Sequence, residues 1–148
     1  MAKDDILLAM YEEHVTQGRE HEQQREKVTS VILVISAALL AFTSQTSWQP
    51  RHAILTTTMA VLGLFGILFS YKHYERNRFH VRIAQEFRDE IEKSSGVPIR
   101  AIRARAAAVH QSEYAQTSRW RLFVFWLLVP LVIFLLGAVL TWLILYRS

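Results

Sequence analysis

"REHEQQREKVTSVILVISAALL", residues 19–40, decides how this chain is read. Residues 17–27 carry no apolar side chain, yet from Val28 onward the chain is almost wholly apolar. No Pro, and no Gly after Gly18, separates the two halves. Those two residues are the strongest helix breakers. Their absence predicts one helix that passes from water into an apolar medium without interruption. The run from about residue 4 to about residue 44 is rich in good helix formers: Glu, Gln, Arg, Leu and Ala. Asp4 and Asp5 suit the positive end of its dipole. At 1.5 Å per residue such a helix is ~60 Å long, half of it outside lipid.

Working outward, the apolar half of the composition is unevenly placed. It concentrates in 28–44, 53–71 and 122–146, blocks of 17, 19 and 25 residues that contain no Asp, Glu, Lys, Arg or His. A bilayer core of ~30 Å needs about 20 apolar helical residues. A chain of 148 residues cannot bury three such helices on all sides. The expected fold is therefore an all-α membrane protein. It has three transmembrane helices, the first two continuing as a long cytoplasmic antiparallel helical hairpin. Its 148 residues form a single domain: cytoplasmic helix 1–27, transmembrane helices 28–44 and 53–71, cytoplasmic helices 72–121, and a third transmembrane helix 122–146. The first block does not read as a signal peptide, because seven acidic residues precede it. Without Cys, disulfide and thiolate chemistry are excluded.

Charge sets the expected orientation. Residues 1–27 hold four Lys or Arg, the 45–52 loop one, the 72–121 segment eleven, and only Arg147 follows the third block. The positive-inside rule places the N-terminus and the long loop in the cytoplasm and the C-terminus outside. Trp48, Trp142 and Tyr146 then fall at the outer interface, and Tyr71, Tyr74 and Trp120 at the inner one. The net charge of +4 restates this asymmetry and does not point to nucleic acid.

The second block continues from apolar to charged through "LFSYKHYERNRFHVRIAQEFRDEIEK" with no breaker. Phe79, Ile83, Phe87 and Ile91 recur every four residues, and their expected partner is the N-terminal helix with Ile6, Leu7, Met10, Tyr11 and Val15. "SSGVP" at 94–98 stops that helix. The Ala-rich stretch "IRAIRARAAAVHQSEYAQTSRW" is helical in turn. It either lies on the membrane, with Arg100, Arg103 and Arg105 near lipid head groups, or packs on the hairpin; packing is favoured. Pro130 falls inside the third span.

No Walker loop, H-E-x-x-H, G-x-S-x-G or dinucleotide fingerprint occurs, so no catalytic, cofactor-binding or metal residues are assigned and no enzyme is expected. His14 and His21 lie seven residues apart, as do His73 and His80, and His21 and His80 are expected at similar depth. A metal clamp or a pH sensor competes there with plain polar packing, which is favoured. "RAAAVH", Arg105 to His110, fits the short R-x4-H pattern of HEPN-type ribonucleases. In the spans, Thr56, Ala60 and Gly63, Gly66 with Ser70, Gly137 with Thr141, and the stripe Ser30, Ala37, Ala41 and Ser44 are candidates for helix packing or oligomer contacts. The Thr56-Thr57-Thr58 run is a candidate water-facing segment near the outer end. Three membrane helices enclose no useful pore, so a channel requires a ring of subunits.

"MYEEHVTQGREHEQQREKVTSVILV" (10–34) and "LFSYKHYERNRFHVRIAQEFRDEIE" (68–92) resemble the RipA family of small bacterial inner-membrane proteins. That resemblance implies a bacterial inner-membrane location and a homo-oligomer of about eight copies. The layout is also similar to SLATT-type membrane effector domains, from which the third span departs. The expected function is a homo-oligomeric ring, a pore-like or membrane-perturbing assembly. The alternative is a non-conducting scaffold for a partner protein or lipid patch, and the remote one a HEPN-like ribonuclease. Membrane lipids and further copies of the chain are the expected partners, with no cofactor.

Overall fold

The structure, a computed structural model, describes residues 3–45, 49–117 and 122–146. Trp48, Trp120, Arg119, Arg121 and Arg147 lie outside the described residues. Helix α1 runs Lys3–Gln45, a short 3₁₀ turn occupies Pro50–His52, and α2 runs Ala53–Ser95. Helix α3 covers Ile99–Glu113 and α4 Leu122–Tyr146. Both α1 and α2 continue unbroken for 43 residues. The passage from polar to apolar sequence at Val28 leaves no mark on the backbone, because helix geometry depends on propensity and not on polarity. Three helices are long and apolar enough to cross a membrane, and the first two pack as a hairpin.

Helix α2 ends where "SSGVP" stands. Gly96 takes a left-handed φ of 69° and its N–H donates to the Glu92 carbonyl at 3.0 Å, closing the last turn. Helix α3 departs from the expected packing. Ile99 is half-buried, but every residue from 101 to 117 is exposed. An Ala-rich helix offers little side-chain area to bury, and its arginines favour water. Its first turn is tied to the hairpin: the Arg100 N–H donates to Glu92 Oε2 at 2.9 Å and Arg100 Nη2 to Asp89 Oδ2 at 2.7 Å. It ends at Tyr114, short of the predicted extent.

The chain groups into two compact units. The polar unit comprises Met1–Glu22 and Tyr74–Arg121, and the apolar unit Gln23–His73 and Leu122–Ser148.

In the polar unit the α2 face turned to α1 takes in most of the expected stripe: Ile83, Phe87 and Ile91 are half-buried and Phe87 stacks on His14 of α1, but Phe79 does not belong to it. Phe79 is 51% exposed, while Ala84 is buried and Asn77 and Ile91 are half-buried. Steps of four drift about 40° each around a helix, whereas a seven-residue period stays nearly on one line. Asn77, Ala84 and Ile91 keep that period, so they form the seam and Phe79 leaves it.

In the apolar unit the same period continues as Thr56, Gly63 and Ser70, all buried. The α1 residues facing inward are Thr29, Ile32, Ser36 and Thr43. Lipid tails are as apolar as Leu, so no hydrophobic gain drives helices together there; close approach of small residues does. A Cβ on Gly63 would collide with the Phe134 backbone, and one on Gly137 would stand 2.5 Å from Ala60 N and 2.7 Å from Thr56 O. A Cβ on Gly66 would meet Pro130 Cβ at 2.8 Å and Ile32 Cδ1 at 3.0 Å, so three helices converge on that glycine. Outward faces carry large side chains such as Val34, Phe42, Ile54, Leu68, Val132 and Leu145.

Gly63→Ala and Gly137→Ala are each expected to destabilise the protein by about 1–3 kcal/mol, the usual penalty of overpacking. Gly18→Ala, whose Cβ would find its nearest neighbour at 3.9 Å, should change stability little. Thermal unfolding of the three variants in one detergent checks this; equal midpoints would show that the α2–α4 contact is not close.

Candidate functional site

In the polar unit, two helices of matching period bring histidines together. His14 and His21 stand seven residues apart on α1, and His80 of α2 meets both. The Nδ1 atoms of His14 and His80 are 3.0 Å apart, a hydrogen bond in which one ring donates and the other accepts. Their rings stack at 5.3 Å between centroids, and His21 stacks on His80 at 5.4 Å. Phe87 covers His14 at 5.7 Å. Gly18, between the two α1 histidines, is buried, and its carbonyl accepts from Asn77 Nδ2 at 2.9 Å. That bond fixes the register of the hairpin. Burial, followed by the neighbouring His21, His14 and Arg76, holds the His80 pKa below the ordinary 6.5, against a small opposing pull from Glu13. His73 does not join the cluster; it stacks on Phe69 of its own helix at 4.0 Å.

Sequence spacing placed His21 and His80 at one depth, and they meet. What it did not show is that His14 is the hydrogen-bonded partner. Among the described residues, no group of three His, Asp or Glu side chains is arranged to hold a metal ion. What joins the cluster is one imidazole–imidazole hydrogen bond and two ring stacks.

Beside the histidines, α1, α2 and the first turn of α3 enclose a groove of about 550 Å³. Sequence reasoning missed it, because its walls come from both faces flanking the seam and from Ile99 and Arg103 of α3. The three arginines expected at lipid head groups divide. Arg100 is bound to Asp89, which holds the Asp89 carboxyl below its ordinary range. Arg103 lines the groove, and Arg105 is exposed. Arg105 and His110 share α3 but point about 140° apart around it, and His110 packs on Tyr114 at 5.0 Å.

In the apolar unit the candidate small residues also divide. Thr56, Gly63, Gly66, Ser70 and Gly137 are buried, and Ala60 and Thr141 are half-buried. They join helices within one chain. Thr141 Oγ1 lies 2.8 Å from both Thr56 Oγ1 and the Gly137 carbonyl, and Thr57 Oγ1 is 3.4 Å away. The threonine run is thus not one water-facing segment: Thr56 is fully buried, Thr57 meets Thr141, and Thr58 donates to the Ile54 carbonyl at 2.8 Å. Ser30, Ala37, Ala41 and Ser44 are exposed. Arg25 also belongs to this unit. It is only 4% exposed, and its guanidinium stands 5.5 Å from the Trp126 ring centroid, a cation–π contact. Its spacing, seven after Gly18 and seven before Ile32, was the available signal.

The fold defines the chain as an all-α membrane protein with three spanning helices and a helical hairpin. No protein-family model, curated protein or solved structure matches it.

The lowered His80 pKa has a definite sign. The unfolded chain takes up a proton more readily, so stability is full above about pH 6.5 and declines as pH falls from there through the lowered folded value. His80→Gln should flatten this decline, leaving the Asp89 contribution, which is lost only below the ordinary carboxylate range. Melting curves between about pH 7.5 and 5 test it; identical slopes for both proteins would remove His80 from the titration.

Proposed function

We propose that the chain works as a homo-oligomeric ring in a bacterial inner membrane, forming a pore-like or membrane-perturbing assembly and not an enzyme. One observation carries this reading. The glycines of the spans are consumed inside the protomer, yet α1 keeps a small-residue face turned outward. Ser30, Ala37, Ala41 and Ser44 lie within about 60° of one another around the helix, with Val34 the one large side chain in the run. Elsewhere the outward surface is dominated by large apolar residues. A small face between lipid-sized neighbours suits close approach of a second helix. The resemblance to the RipA family supports about eight copies, and the distribution of basic residues supports a cytoplasmic N-terminus. Because α1 is continuous, displacement of its polar end acts directly on its apolar end.

A second reading, a scaffold, draws support from α3. Its residues 101–117 are exposed, including Arg103 and Arg105, and would suit a protein partner or anionic head groups.

Gly66→Leu and Gly137→Leu test the protomer and not the ring, since both glycines pack internally. The informative variant is Ala37→Leu/Ala41→Leu. Native mass spectrometry from lipid nanodiscs should give one large homo-oligomer for the unaltered protein and smaller species for the double variant. Conductance recordings would follow. A monomer or dimer from the unaltered protein would end the ring reading and leave the scaffold.

A further inference from the structure

The groove in the polar unit has a shape and an unbonded cationic donor that select a ligand. On α1 its lining runs from Leu8 to Glu22, and at 1.5 Å per residue it is roughly 20 Å long. Its volume of about 550 Å³ is within the range of small-molecule sites. The middle is walled by Tyr11, Val15, Val81 and Ala84. A long, largely apolar groove suits an extended hydrocarbon chain better than a compact polar metabolite.

The two ends differ. At one end Arg19 and Glu22 balance in charge, and the Asn77 amide is engaged by the Gly18 carbonyl. The other end lies at the first turn of α3. Arg88, Arg100 and Arg103 stand there with Asp89, Glu92 and Glu86, and Arg100 is engaged by Asp89 and Glu92. Arg88 Nη2 contacts Asp89 at 3.3 Å, but Arg88 Nε is buried without a hydrogen-bond acceptor among the described residues. A buried donor of a charged group left unbonded is unfavourable, and an incoming carboxylate would satisfy it.

We propose that this groove binds a single-chain anionic amphiphile, a long-chain carboxylate. Its hydrocarbon lies along Tyr11, Val15, Val81 and Ala84, and its head group meets Arg88 and Arg103. The amphiphile bridges α1, α2 and the start of α3, so its binding stabilises the hairpin whatever the number of subunits in the assembly.

The test uses the full chain in phosphatidylcholine nanodiscs and a palmitate analogue carrying a diazirine at mid-chain, with adducts mapped by peptide mass spectrometry. Adducts are expected around Tyr11, Val15, Val81 and Ala84, displaced by unlabelled palmitate. Arg88→Gln should weaken labelling there about tenfold, the loss of one charge-assisted hydrogen bond. Ala84→Trp, which fills the groove, should abolish it while circular dichroism shows retained helix. The methyl ester of the analogue should label the groove far less than the acid. Adducts confined to 28–44, 53–71 and 122–146, or equal groove labelling by acid and ester, would overturn the proposal. Labelling is read on the protein in any oligomeric state, so failure here and failure of the ring are separate results.

Discussion

Close approach between helices is the constraint on which the rest of this structure depends. It is met in two solvents: between α1 and α2 in the polar unit, and between α2 and α4, with Ile32 of α1 at Gly66, in the apolar unit. In water, apolar side chains gain by leaving solvent, so a seam of ordinary residues closes. Among lipid tails that gain vanishes, and only short side chains at the interface let backbones pack well. The inward residues of α2 differ accordingly: Thr56, Gly63 and Ser70 in the apolar unit, where Thr56 and Gly63 meet α4, and Asn77, Ala84 and Ile91 in the polar one. Glycine, hydroxyl and alanine do the work that Leu and Ile do in a soluble hairpin.

Polar groups on this seam follow from the same geometry. The Gly18 carbonyl accepts from Asn77, and His14 and His21, on either side of Gly18, both reach His80. In the apolar unit, hydroxyls have no water to turn to and bond inward; Thr141 reaches Thr56 and the Gly137 carbonyl. Arg25 satisfies part of its demand on the face of Trp126. The buried hydroxyls of Ser36 and Ser70 are the exceptions, without a hydrogen-bond partner among the described residues.

Helix α3 stands apart from this logic. Its first turn is held by Arg100 to Asp89 and Glu92, and that attachment forms one end of the groove. Beyond it, alanine and arginine give no reason to fold back on the hairpin. The ring proposal rests on the exposed stripe of α1 and the scaffold reading on the exposed face of α3, so the two functions draw on separate surfaces of one chain.

Much of the architecture was legible in one dimension. Unbroken helix formers across Val28 and Tyr71, three blocks free of charge, and Gly96 before Pro98 are local facts, and they set the helices, their limits and their apolar spans. The depth match of His21 with His80 also followed from counting. Which face of each helix turns inward did not, because the four-residue and seven-residue readings of α2 meet at Ile91 and only packing separates Phe79 from Asn77. Whether Gly63, Gly66 and Gly137 serve the protomer or its neighbours was equally open, since a small residue is small toward any partner. Tertiary structure decided both, and it alone made the groove, whose walls are distant in sequence and adjacent only once α1, α2 and the first turn of α3 meet.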